Sequence, residues 1–384
     1  MLDRRHFLQR VGTGIGAAAI ATATTTDDRL AHAESAGPVR ATLSRTVPYE
    51  VFQRQGFDPI HAHEHAAGGP KLGFAEIPVV GEFPELPGAK WQFRVVKLPD
   101  ASGAQTDWAG FEPRIAGKRL SATVRVPAGG WFRLEVRTVQ GDATLASAEV
   151  EPIGVGEVLI IAGQSYAEGA NDELLRVDDA RGRIVAFDRL KSTWRIAHDP
   201  QPNVNNGGTI WPALGNLLLP QARVPIGFVN VASGGTASRQ WLPGEELFKN
   251  LANAGRAIGQ FRAVLWQQGE SDVIENVSTE KYVAHLTSIR EALASDWKFS
   301  PPWLLAKSTM HPTVYDKPEQ EGRIRAAIDQ LTSLPGFRPG PDTDILAGEN
   351  RGGLGTRRHL TGVGQRRAAL LWFAAVWQEL QRDS

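Results

Sequence analysis

The 384-residue chain contains no cysteine, which excludes disulfides, a thiolate nucleophile and cysteine-ligated zinc. Neither sign of charge is in excess. Its 42 Lys and Arg balance 42 Asp and Glu, which argues against a nucleic-acid partner held by phosphate neutralisation. The glycines are not spaced as a phosphate-cradling loop or a dinucleotide fingerprint, and no cofactor is expected. Apart from a short N-terminal segment, no apolar run approaches the length of a membrane helix. A chain without covalent staples must rest on its core. With 42% hydrophobic residues it can, and its length suggests two domains.

What is present begins at the N-terminus. Arg4-Arg5 precedes Phe7-Leu8, an Ala/Gly-rich apolar segment over 11–23 and the small residues of Ala31-His32-Ala33. This reads as a twin-arginine export signal over residues 1–33, cleaved after Ala33. Export would engage the Tat translocase and leave a mature protein off the membrane, in the periplasm or outside the cell. The eleven tryptophans are many, and serve core packing or sugar platforms.

Two textures follow. Over residues 38–152, runs such as Trp91-Gln92-Phe93-Arg94-Val95 and Trp131-Phe132-Arg133-Leu134-Glu135-Val136 alternate apolar and polar positions, predicting a small antiparallel β-sandwich. Pro127-Ala128-Gly129-Gly130 reads as a hairpin turn between two of these strands. Gly154-Val155-Gly156 reads as the joint to a second region over 155–384. There, short apolar strands at 158–161, 226–231, 263–266, 303–305 and 344–346 alternate with helical spacing. The last helix starts from a Thr361 N-cap. This alternation predicts an α/β fold with a doubly wound parallel sheet, in which ligands bind beyond the carboxyl ends of the strands.

Chemistry concentrates at those ends. The run 158–162 breaks at Gly163-Gln164-Ser165, a turn that can lift a serine hydroxyl clear of the sheet edge. Ser233-Gly234-Gly235-Thr236 and Trp266-Gln267-Gln268-Gly269-Glu270-Ser271-Asp272 follow two further strands, and His359-Leu360-Thr361 precedes the last helix. Ser165 is the candidate nucleophile and His359 the candidate general base. Gly234 and Gly235 can bring backbone N–H groups close to a developing oxyanion, with the Ser165 N–H as a third donor and the Gln268 amide as a side-chain donor. Glu270 is expected to brace its loop. His61, His63 and His65 alternate as one face of a strand would, but lie far from these blocks, and a polar edge or loop is favoured over a metal site.

These four ordered blocks, over about residues 155–377, resemble the carbohydrate-esterase branch of the SGNH (GDSL-like) hydrolases, the sialate O-acetylesterase-like group. The resemblance implies a flavodoxin-like SGNH fold and a serine esterase that deacetylates carbohydrate through an acyl-enzyme. It also implies an oxyanion donor from the Gln268 block. Two positions depart from the family. Tyr166 stands where Asn is usual, and Thr356 stands where an Asp usually orients the histidine. A backbone carbonyl would then set the tautomer of His359, or Glu349, Asp344 or Asp342 would substitute for the missing carboxylate. Arg351, Arg357 and Arg358 would depress the base's pKa, or grip an acidic sugar. Two other readings compete. An α/β-hydrolase elbow fits less well, because Gly163-Gln164-Ser165-Tyr166-Ala167 ends in Ala and the glycine pair comes after the serine. A non-catalytic carbohydrate-binding protein on a hydrolase fold is the reading that a vacant carboxylate position favours.

Overall fold

One strand organises the molecule. Ala143–Gly163 runs for 21 residues and serves two sheets in turn. Its first half pairs antiparallel with Gly129–Gln140. Its second half pairs in parallel with Ile226–Asn230 on one side and Ala263–Gln267 on the other. Burial follows the change: every position from Ile153 to Gly163 is buried, as befits a parallel strand covered on both faces. The computed structural model describes residues 38–59, 71–203, 205–352 and 358–382. From Pro38 onward they belong to one compact unit.

The central sheet orders its strands Thr193–Ile196, Ile184–Asp188, Ile226–Asn230, Ala143–Gly163, Ala263–Gln267, Trp303–Lys307 and Phe337–Asp342, all parallel except Thr193–Ile196 at one edge. Alternate residues of the long strand face opposite layers. Leu159 and Ile161 share a core with Leu214 and Leu218 of helix Trp211–Ala222 and with Trp372 and Val376 of helix Gly362–Leu380. Val158 and Ile160 pack instead with Leu251, Leu286, Ile289 and Ile328, from the helices Glu246–Ile258, Thr279–Trp297 and Pro318–Thr332. Helices therefore cover both faces, and the strands' carboxyl ends are left for the loops. Among the described residues no helix is long and apolar enough to cross a membrane.

In the β-rich part, Thr42–Leu43, Phe74–Glu82, Arg119–Pro127 and Arg114–Ala116 form a second, four-stranded sheet. Its Ile77, Val79, Val124 and Val126 share a core with Val95, Leu134, Val136 and Ala148 of the strands that continue the larger sheet. A buried ion cluster ties the parts together. Glu157 accepts from Arg54 at 2.6 Å and from Arg262 at 2.8 Å, and Gln53 donates to it at 2.9 Å. Leaving one of these charges without its partners would cost about 3–5 kcal/mol.

Three expectations are corrected. Residues 127–130 do not make a hairpin: Arg119–Pro127 pairs with Phe74–Glu82, whereas Gly129–Gln140 pairs with Lys90–Ser102. The glycine pair carries the chain from one sheet to the other. Gly154-Val155-Gly156 is no joint but the middle of the long strand, paired in parallel with Val51–Gln53. The last strand is Phe337–Asp342 and not 344–346, where a 3-10 turn begins with Asp342 capping Asp344. Pro339, Gly340 and Pro341 conceal that strand in the sequence, and its place at the sheet edge tolerates them.

Candidate active site

The turn after the long strand begins at Gly163, whose φ of +128° and close approach to the Gln267 carbonyl exclude a side chain. Gln164 then anchors the turn, its Oε1 accepting from the Ser271 N–H at 3.2 Å and from Gln268 Nε2 at 3.3 Å. Ser165 opens the helical turn Ser165–Glu168 and is 9% exposed. Its Oγ lies 3.0 Å from Nε2 of His359, a residue 194 positions away in sequence. His359 sits just before helix Gly362–Leu380, whose N-cap Thr361 accepts from the Gly364 N–H at 3.1 Å. Asn171 joins the serine turn to the histidine loop. Its Nδ2 donates to the Tyr166 carbonyl at 3.0 Å and its Oδ1 accepts from the Leu360 N–H at 3.1 Å.

The electrostatics keep the imidazole neutral. Burial, then the charges of Arg358 and Arg351, push the His359 pKa down to about 4, while Asp172 pulls it upward. Asp172 approaches from the loop after the serine turn. Its N–H donates to the Leu360 carbonyl at 3.0 Å, and its carboxylate lies 2.6 Å from where a Cβ on Gly352 would be. Gly352 in turn donates to the His359 carbonyl at 2.8 Å. Sequence reasoning missed this carboxylate, because a lone Asp in a loop carries no pattern.

Tyr166 fills the space under the histidine. Its ring meets that of His359 edge-on at 5.3 Å, and its hydroxyl donates to the Arg358 carbonyl at 2.6 Å, with the Met310 carbonyl at 3.2 Å. Arg351 lies 4.6 Å over the same ring. His311 completes the group, 5.8 Å from His359 between ring centroids, and burial also pushes its pKa down to about 4. Beside it opens a cavity of about 550 Å³ lined by Met310, Pro312, Thr313, Gly348, Glu349 and Arg351, among others.

The other candidates divide. Gly234 reaches the serine: a Cβ there would lie 3.6 Å from Ser165 Cβ. Gly235 follows with φ +69° and open space beside it. Gln268 does not reach it. Its amide is wholly buried and donates to Asp272 at 2.5 Å, to the Thr236 carbonyl at 3.1 Å and to Gln164, while its oxygen accepts from Tyr282 at 3.0 Å. The role of oxyanion donor is therefore corrected: this amide knits three loops together. Glu270 is fully buried, accepts from the Ser308 hydroxyl at 2.6 Å, and has its pKa pushed up to about 8 by burial.

Glu349 and Asp344 are also corrected as histidine-orienting groups. Glu349 pairs with Arg367 at 2.6 Å. Asp344 accepts from the Thr309 and Met310 N–H groups at 2.8 and 2.9 Å and pairs with Arg325 at 2.7 Å. Asp342 pairs with Arg325 as well. Thr356, Arg357, His61, His63, His65 and the export segment 1–33 lie outside the described residues. Among those described, no group of three or more His, Asp or Glu could hold a metal ion.

Comparison with known proteins fits this geometry. Residues 155–321 match the family model described as carbohydrate esterase, sialic acid-specific acetylesterase. A probable carbohydrate esterase of Arabidopsis thaliana is 28% identical over 171 residues, which are 38% of this chain and 65% of that relative. A carbohydrate acetylesterase from Xanthomonas citri superposes with a TM-score of 0.52 at 17% identity, over 88% of this chain and 75% of the other, which establishes a shared fold. Residues 155–321 thus resemble a carbohydrate esterase domain of that description, and the chain spans just under two thirds of the curated relative it matches.

Proposed function

We propose that the chain is a serine esterase that removes O-acetyl groups from carbohydrate, either sialic acid or a plant or bacterial polysaccharide. The observation that carries this reading is the 3.0 Å pair of Ser165 Oγ and His359 Nε2 at the carboxyl edge of the sheet. An imidazole that stays neutral down to pH about 4 is free to accept a proton there. As Ser165 Oγ adds to the acetyl carbonyl, His359 Nε2 takes its proton. The Ser165, Gly234 and Gly235 N–H groups receive the negative oxygen. Collapse breaks the bond to the sugar oxygen, which leaves with the proton from His359, and the acetyl group remains on Ser165. Water then adds with His359 again as base, and acetate is released.

The negative charge of Asp172 beside His359 supports the transient imidazolium, which is the service the missing family carboxylate would otherwise render. The sugar would lie in the cavity beside His311 and Arg351. We assign catalysis to residues 155–384, an accessory role to the β-rich residues 38–152, and export by the Tat translocase to residues 1–33. Turnover of 4-nitrophenyl acetate by the mature protein, followed by acetyl release from acetylated sialic acid, xylan and pectin fragments, tests the reading. No turnover of any of them would leave a carbohydrate-binding protein on a hydrolase fold.

A further inference from the structure

Next to the serine stands a carboxylate for which the reaction above has no use. Glu168 closes the helical turn that Ser165 opens and is 5% exposed. Its Oε2 accepts from Nδ2 of Asn205 at 3.2 Å. The same oxygen lies 2.7 Å from where a Cβ on Gly234 would be, a point 3.6 Å from Ser165 Cβ. The serine and this carboxyl thus both approach Gly234 where its side chain would be, and its backbone N–H acts on the carboxyl to favour the charged form. An acceptor bearing negative charge, close to the serine and served by a glycine amide and a side-chain amide, is what an oxyanion is during ester cleavage.

We propose that Glu168 is the resting occupant of the oxyanion pocket, taking the amide donors of Gly234 and Asn205 until an ester arrives. Asn205 is then the side-chain donor to the oxyanion, the part Gln268 is too deeply buried to play. The inference rests on the esterase reading and adds a control to it. An ionised Glu168 opposes the charge growing on the ester oxygen and competes for its donors, whereas a neutral Glu168 does neither. Burial raises the Glu168 pKa, so the neutral form persists to higher pH than for an exposed carboxyl. The groups acting on it are the Asn205 amide and the Gly234 N–H. Behind Ser165 the other titrating group is His359, which itself faces Arg351, Arg358, Asp172, His311 and Tyr166.

The test is the pH dependence of kcat/KM for 4-nitrophenyl acetate, with the rate of Ser165 labelling by a 4-nitrophenyl phosphonate, in wild type, Glu168→Gln and Glu168→Ala. The wild type should lose activity as pH rises through the Glu168 titration. Both variants should lack that fall and exceed wild type by about tenfold on its alkaline side, the scale of one opposing charge a few ångströms from the reacting oxygen. Asn205→Ala should lower kcat/KM by about 10² in the Glu168→Gln background, as for loss of one oxyanion donor. The same fall in all three proteins, or lower activity in both Glu168 variants at every pH, would overturn the proposal and make Glu168 a brace. If wild type and variants are all inert toward both reagents, the esterase reading itself fails and this inference goes with it.

Discussion

The Tyr166 hydroxyl donates to the carbonyl of Arg358 at 2.6 Å, so the residue after the serine holds the residue before the histidine. The two halves of the proposed catalytic pair are thereby fixed to one another through a bond that neither of them makes. Tyr166→Phe keeps the ring against His359 and removes only the hydroxyl. It should lower kcat about 3- to 10-fold with little change in KM, the worth of one hydrogen bond. Steady-state kinetics on 4-nitrophenyl acetate check this, and an unchanged kcat would show that the loop is held by other means.

Ser165 and His359 should behave as one unit, since a serine without its base is a weak nucleophile. Ser165→Ala and His359→Ala should each remove most esterase activity, and the double variant should be little worse than either. Losses that add, or activity surviving Ser165→Ala, would contradict the acyl-enzyme.

Asp172 and the two arginines pull the imidazole in opposite directions. Removing a negative charge disfavours the protonated ring, so Asp172→Asn should move the acid limb of the kcat/KM profile below its wild-type position near pH 4. The same change should lower kcat/KM by about 10² to 10⁴ if Asp172 supports the imidazolium. On 4-nitrophenyl acetate, which has no sugar to fill the cavity that Glu349 lines, Glu349→Ala breaks an exposed pair with Arg367 and should leave both unchanged. A large loss from Glu349→Ala would restore it as the missing carboxylate.

Glu270 has a stability signature. Its folded pKa is raised to about 8 from an ordinary 4.5, so the folded state binds its proton more tightly than the unfolded chain does. Folding stability should therefore fall as pH rises from about 4.5 to 8 and level off above that. Glu270→Gln removes the titration. Thermal melts at pH 5, 7 and 9 should show the variant gaining on wild type as pH rises. A constant difference across the three would mean that Glu270 is already charged when folded.

Export is tested without the catalytic site. Arg4→Lys combined with Arg5→Lys should leave the precursor in the cytoplasm, since the twin-arginine route reads that pair. Periplasmic recovery of the double variant would refute a Tat signal.

The parallel strands were legible because strands buried on both faces read as near-continuous apolar runs, as at 158–161, 263–266 and 303–305, and at 226–231 apart from Asn230. Phe337–Asp342 was not, since an edge strand can carry Pro339 and Pro341 where a central one cannot. Ser165 and His359 stood out because polar residues at the ends of strong elements have few structural reasons to be there. Asp172, Glu168 and Asn205 did not, because loop residues acquire partners only when the chain closes on itself. Gln268 misled for a related reason: its place after a strand is written in the sequence, but the direction of its amide is decided by Asp272, Thr236 and Tyr282 around it.

The strand Ala143–Gly163 bears on how this protein can be cut and recombined. A fragment beginning at residue 155 would start inside a continuous ladder, losing the pairing with Val51–Gln53 and with Gly129–Gln140. It would also lack Arg54, leaving Glu157 short of one of its two buried cations within the strand that ends at the serine turn. The β-rich part is therefore no detachable module that evolution or a protein engineer could exchange at a linker. Melting should pass through a single transition. Homologues that lack this part would need another way to hold the buried end of the strand that delivers Ser165.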